Sequence, residues 1–242
     1  MRLACYSSSG EGYNTDSVWK TIDRGVKAAS ELGMYVIIDW HILMNGNPKT
    51  DMSAAIRFFK HFVKKYRGKK NVLWEICNEP NGCEWANDIK PYAKKLIKVI
   101  RKIDKKNIII VGTPTWSQDV DTAADDRLEK KLSKNVCYTL HFYAATHQDN
   151  IRNKVKYAVS KGLPILCTEF SICDASGNGA LDKGSGKVWM KLLKKNCIGF
   201  ISWNISNKAE SSSLIKPDCM KTGKLKKKDL TESGKWVIKQ WK

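Results

Sequence analysis

The stretch "NVLWEICNEPNG" (71–82) opens as an apolar run and closes on two amides, an acid and a turn. Val72, Leu73, Trp74 and Ile76 read as a buried strand, and Asn78, Glu79 and Pro80 follow where it would stop. Burying a carboxyl without a partner is costly, so an acid placed there needs a chemical reason. "PILCTEF" (164–170) repeats the arrangement and delivers Glu169.

Other strand-like runs are "RLACY" (2–6), "MYVIID" (34–39), "NIIIVG" (107–112), "VCYTLHF" (136–142) and "IGFISWN" (198–204). Their starts lie about 30 residues apart, the size of a strand–helix unit. Helical stripes occupy the gaps: Val18, Ile22 and Val26; Ile56, Phe59, Val63 and Tyr66; Ile89, Tyr92, Leu96, Val99 and Ile103; Ile151, Val155 and Ala158. Gly33, Gly68 and Gly162 stand where three of these helices would end. Such stripes are core packing. Alternating strands and helices predict an α/β fold with a parallel sheet.

Neither a Gly-x-Gly-x-x-Gly nor a phosphate-binding loop follows the early strands, so a nucleotide-binding sheet has no support. Polar and aromatic residues gather instead at strand ends: Trp40-His41, Asn78-Glu79, His141-Phe142-Tyr143, Glu169 and Trp203-Asn204. That is where a (β/α)8 barrel builds its site. Seven strands are visible, whereas a closed barrel of this type needs eight.

The chain has 242 residues and a formal charge of +19, which raises the question of nucleic acid. Runs such as "KHFVKKYRGKK" and "KKLIKVIRKIDKK" interleave Lys with apolar residues at helical spacing and are scattered, as solvated helix faces are. Neither a nucleic-acid nor a membrane partner is expected; no apolar run approaches the roughly 20 residues of a membrane span. The first residues do not read as a signal peptide. Eight cysteines could pair, yet Cys5, Cys77, Cys137 and Cys167 lie within apparent strands, and buried thiols are expected. No Cys-x-x-Cys or zinc-type spacing occurs, so no metal or cofactor is expected.

Two carboxyls at strand ends suit cleavage of a glycosidic bond. One protonates the leaving oxygen while the other attacks the sugar carbon or activates water. "VIIDWHIL", "NEPNG", "GTPTWSQDV", "LHFYAATH", "TEFS" and "SWNISNKAESSS" together resemble the retaining β-1,4-endoglucanases of glycoside hydrolase family 5, in the family's order and over nearly the whole chain.

The resemblance implies that Glu79 is the general acid/base and Glu169 the nucleophile, with an ionised Glu169 raising the Glu79 pKa. Arg2 and Tyr143 resemble groups that hold the nucleophile, and Asn78 the donor to the neighbouring 2-hydroxyl. His41 and His141 resemble histidines lining that subsite, and Trp203 a stacking platform. Trp116 resembles an aromatic on the leaving-group side, and Lys208 with Glu210 a polar pair contacting more distant hydroxyls. The implied protein is a secreted monomer acting on β-1,4-glucan. Mannan, xylan or mixed-linkage glucan stay open as substrates, as does an impaired protein that only binds polysaccharide.

Ser171 stands where relatives often carry Gly. The resemblance also implies one catalytic domain over 1–242 that lacks the family's first strand and helix. The edges of the first and last visible strands would then be unpaired, with Arg2 at a fraying end. After "SGKWVIKQWK" no linker or carbohydrate-binding module is expected.

Overall fold

The computed structural model describes residues 1–7, 15–44 and 46–241, with side chains described from Ser17 onward in the first helix. Its elements alternate as the sequence predicts. They are β1 (Arg2–Tyr6), α1 (Thr15–Glu31), β2 (Val36–His41), α2 (Met52–Lys65), β3 (Val72–Glu75), α3 (Lys90–Arg101) and β4 (Ile109–Val111). Two short helices, α4 (Pro114–Ser117) and α5 (Val120–Asp125), lead to β5 (Val136–Tyr143), α6 (Asp149–Ser160) and β6 (Ile165–Ser171). The chain closes with α7 (Lys183–Lys195), β7 (Phe200–Ser202) and α8 (Glu232–Ile238). None of the described helices is long and apolar enough to cross a membrane.

By internal contacts the chain forms two compact units. The first comprises Met1–Leu140 and Ala158–Leu166, the second His141–Tyr157 and Cys167–Lys242.

In the first unit β1 to β5 lie side by side, parallel and in chain order. The start of β6 joins β5 through the Tyr138 N–H on the Pro164 carbonyl. Register places Arg2 beside Ile37, Tyr6 beside His41 and Asp39 beside Glu75. Because side chains alternate along a strand, Asp39, His41 and Glu75 share one face. The opposite face carries Ile38, Trp40, Val72 and Trp74, all fully buried. Trp40 meets the Phe58 ring at 5.0 Å, and Trp74 Nε1 donates to Asp104 at 2.9 Å.

The helices depart from the predicted stripes in detail. In α2 the buried residues are Ala55, Phe58, Phe59, Phe62 and Val63; in α3 they are Tyr92, Ala93, Leu96, Ile97 and Ile100. Ile56, Val99 and Ile103 are only half-buried and line a groove with Lys60, Lys64, Lys95 and Lys102. Both helices contain more apolar residues than one stripe can hold, and in α2 the larger aromatic set took the core. Gly33, Gly68 and Gly162 have φ of 65°, 84° and 70°, the left-handed conformation that glycine adopts without steric cost.

The second unit holds the outer ends of β5 and β6, joined by the Ala144 N–H on the Ser171 carbonyl, and β7 parallel to β6. Its core is aromatic: Phe142 stacks on Trp189 at 3.9 Å and on Phe170 at 5.3 Å. Asp182 caps α7 by accepting from the Ser185 N–H at 2.8 Å, and Thr231 caps α8 from the Gly234 N–H at 3.0 Å.

None of the eight cysteines forms a disulfide among the described residues. Cys5, Cys77, Cys167 and Cys173 are buried, and burial pushes the Cys77 thiol well above its ordinary pKa.

Gly112, just past β4, lets the chain after β3 pass close by. A Cβ there would lie 2.6 Å from the Cys77 carbonyl oxygen and 2.8 Å from Pro80 Cδ. Gly112→Ala should therefore destabilise by about 1–3 kcal/mol, the usual range for overpacking. Gly223→Ala, which meets nothing within 4 Å, is the control in thermal unfolding.

Candidate active site

In the first unit a guanidinium organises the polar face. Arg2 donates through Nε to Glu75 Oε2 at 2.7 Å and through Nη2 to Asn78 Oδ1 at 2.5 Å. Nη2 also lies 2.9 Å from Asp39 Oδ2. The Arg2 side chain is 3% exposed, and those of Glu75 and Asp39 are 0% exposed. Arg2 is thus held inside the structure, contrary to the expected fraying end. Glu75, which the sequence reading passed over, is one of its main partners. An acid inside the buried run "NVLWEI" was the available signal.

Asp39 also binds His41, with Oδ2 2.7 Å from Nδ1. Asn78 Nδ2 donates to the Ile42 carbonyl at 3.0 Å and lies 3.4 Å from His41 Nε2. Because a guanidinium can only donate, its contact with Oδ1 settles which way the Asn78 amide faces. The Tyr6 ring tilts against His41 at 4.4 Å.

Glu79 follows at the end of this chain of contacts and is partly buried. Its pKa is pushed up to about 7, first by burial, against the opposing charges of His41 and Arg2. The expectation of a raised pKa holds, but the leading cause is desolvation rather than a neighbouring carboxylate. An acid of this kind is still largely protonated below neutral pH and can donate a proton.

Trp116 projects from α4 with 47% of its surface exposed. Thr115, Trp116 and Ser117 all have positive φ, of 54°, 55° and 60°, although none is glycine. Nothing in "TPTWSQ" announces this, since left-handed backbone is expected mainly of Gly or Asn.

In the second unit Tyr143 donates its hydroxyl to Glu169 Oε1 at 2.7 Å. Glu169 is 5% exposed. His141 Nε2 lies 2.9 Å from Thr168 Oγ1, and both residues are buried. His147 accepts from the Tyr143 N–H at Nδ1, 2.8 Å away, while its own carbonyl takes the Trp189 indole N–H. Burial lowers the His147 pKa, so it is a neutral prop for the strand end that carries Tyr143.

Trp203 follows β7, half-buried, joined to Asn204 by a cis peptide bond. Glu210 is turned inward to its own loop, accepting from Asn204 Nδ2 at 2.7 Å and Ser212 Oγ at 3.1 Å. Lys208 is exposed. The first unit thus gathers Arg2, His41, Asn78 and Glu79, and the second His141, Tyr143 and Glu169.

The model of the cellulase family, glycosyl hydrolase family 5, matches residues 1–209. An endoglucanase of Clostridium saccharobutylicum is 46% identical over 242 residues, covering 99% of this chain and 53% of the relative. Endoglucanase A of Butyrivibrio fibrisolvens is 41% identical over 247 residues, covering 99% and 56% respectively. The chain spans about half the length of these curated relatives.

Among solved structures, cellulase Cel5C_n is similar with a TM-score of 0.92 at 40% identity, covering 100% of this chain and 76% of that one. The catalytic domain of Thermobifida fusca endoglucanase Cel5A, in complex with cellotetraose, has a TM-score of 0.92 at 33% identity, covering 100% and 81%. A chain of parallel strands with acids at their ends thus has glycoside hydrolases for relatives. It belongs to glycosyl hydrolase family 5.

Two outcomes follow for the first unit. Arg2→Met leaves Glu75 and Asp39 as buried carboxylates without their guanidinium, and should cost about 3–5 kcal/mol in denaturant unfolding. Glu79 has a folded pKa raised above its unfolded value, so its contribution is most favourable at acid pH and is lost as pH rises through about 7. Glu79→Gln should therefore raise the melting temperature by a few degrees at roughly pH 8 and leave it unchanged at roughly pH 4.

Proposed function

We propose that this chain is the catalytic domain of an endo-acting β-1,4-glucanase that works by retaining double displacement. In the first step Glu79 gives its proton to the leaving glycosidic oxygen while the Glu169 carboxylate bonds to the anomeric carbon. In the second, Glu79 takes a proton from water, which attacks that carbon and releases Glu169. Membership of a family that carries the cellulase description supports the reaction class.

The observation that carries the assignment of roles is the difference between the two acids. Burial keeps Glu79 protonated up to about pH 7, whereas Glu169 accepts a hydrogen bond from Tyr143 that fixes the direction of its carboxyl. An acid needs its proton held and a nucleophile needs its oxygen aimed, and these environments suit those two roles.

Around this centre Asn78 has one amide hydrogen on Ile42 and the other only loosely directed at His41, so it can turn the latter toward a sugar hydroxyl. Trp203 and Trp116 offer the flat apolar faces on which pyranose rings stack. His41 and His141 line the subsite at the cut, and Lys208, on a loop that Glu210 holds in place, meets hydroxyls further away. The domain is a (β/α)8 barrel completed by a further strand–helix unit of the family, monomeric and exported. The cellotetraose complex of the Thermobifida fusca relative favours β-1,4-glucan over the other β-glycans.

The deciding experiment is reducing-end release from soluble β-1,4-glucan, with Glu169→Gln alongside. The parent should be active and the variant reduced by about a thousandfold or more, as for loss of a nucleophile. A fluorinated cellobioside should label the parent covalently at Glu169. The rate should fall on the alkaline side with an apparent pKa near 7. Glucan release that survives Glu169→Gln would overturn the assignment, and binding without hydrolysis by folded parent would overturn the enzyme reading.

A further inference from the structure

The backbone around Glu79 is tied down carbonyl by carbonyl. The Ile76 carbonyl accepts from the Tyr92 hydroxyl at 2.6 Å. The Asn78 carbonyl accepts from Ser117 Oγ at 2.7 Å, and the Glu79 carbonyl from Asn81 Nδ2 at 3.0 Å. The Pro80 carbonyl accepts from the Trp116 N–H at 3.0 Å. Thus the two carbonyls flanking Glu79 are both held by Trp116 and Ser117, neighbours about forty residues further along the chain.

These two residues lie in the left-handed run 115–117, an unfavourable conformation for residues with a Cβ. Strained backbone of this kind persists only when its surroundings over-determine it. Here the Ser117 N–H bonds the Thr113 carbonyl at 3.0 Å and the Gln118 N–H the Pro114 carbonyl at 3.1 Å. The left-handed turn is what brings both the Trp116 N–H and the Ser117 hydroxyl to the Glu79 loop. It does so while leaving the Trp116 indole exposed and the Ser117 side chain fully buried.

We propose that Ser117 is a positioning residue for proton donation by Glu79, acting through the Asn78 carbonyl and the strained turn that carries Trp116. This rests on the acid role given to Glu79 above. Ser117 touches no reacting atom. It fixes where the carboxyl sits when its proton passes to the leaving oxygen, as the bond from that oxygen to the anomeric carbon breaks and Glu169 bonds to the carbon.

Leaving groups of different basicity test this. From dinitrophenyl β-cellobioside the dinitrophenolate departs as a stable anion and needs little help from an acid, whereas release of methylphenol from methylphenyl β-cellobioside requires the proton. The parameter kcat/KM reports events up to the first irreversible step, so later action of Glu79 as a base does not enter. Ser117→Ala removes the hydroxyl and keeps a Cβ at positive φ. Ser117→Gly removes the hydroxyl and relieves the strain, so it guards against a variant that merely fails to fold.

Both variants should lose about 10-fold in kcat/KM on the methylphenyl substrate and less than about 2-fold on the dinitrophenyl one. Equal losses on both substrates, losses that follow the melting temperature, or no loss on either would overturn the proposal. Glu79→Gln, assayed in parallel, should show a steeper dependence on the leaving group than either Ser117 variant. If it shows none, the acid assignment itself fails; if it does and the Ser117 variants do not, only the role of Ser117 fails.

Discussion

A single guanidinium, that of Arg2, holds the first unit's polar face together. Two carboxylates on neighbouring strands, Asp39 and Glu75, would repel each other and resist burial if left alone. Arg2 sits within 2.9 Å of both and within 2.5 Å of Asn78. The arrangement neutralises the buried acids, aims the Asn78 amide and leaves Asp39 to orient His41. Each of these consequences depends on one planar, always charged group with a fixed fork of donors. Lysine, a point charge on a flexible stem, could not hold three partners in set directions.

The two acids acquire different characters by unlike means. Around Glu79 the dominant influence is exclusion of water, tempered by the positive charges of His41 and Arg2. Glu169 accepts a directed hydrogen bond from Tyr143. Desolvation acts on the whole carboxyl and keeps a proton on it, while a donor orients one oxygen. The neighbouring strand ends are propped by groups with no chemistry of their own, such as His147 beneath Tyr143.

Much of this was legible in the sequence, because the strongest signals were violations of pattern. Glu79 and Glu169 interrupt apolar runs, and the glycines at 33, 68 and 162 stop helices where their φ values require. Glu75 was equally visible as a charge in a strand but lacked a visible reason, since its partner lies 73 residues away. The faces of α2 and α3 were read by spacing alone, and spacing does not rank Phe58 and Phe62 above Ile56. The left-handed run at 115–117 left no trace at all. It is produced by tertiary hydrogen bonds acting on residues whose own preferences point elsewhere.

The tethered carbonyls of Ile76, Asn78, Glu79 and Pro80 bear on how freely this loop can move. A loop fixed at four of five neighbouring peptide units has little conformational freedom left to lose on binding. In the proposed reaction, ordering is complete before encounter and the adjustment falls on the glycan. Under that proposal, rigidity of this sort trades breadth of accepted shapes for a well-aimed proton.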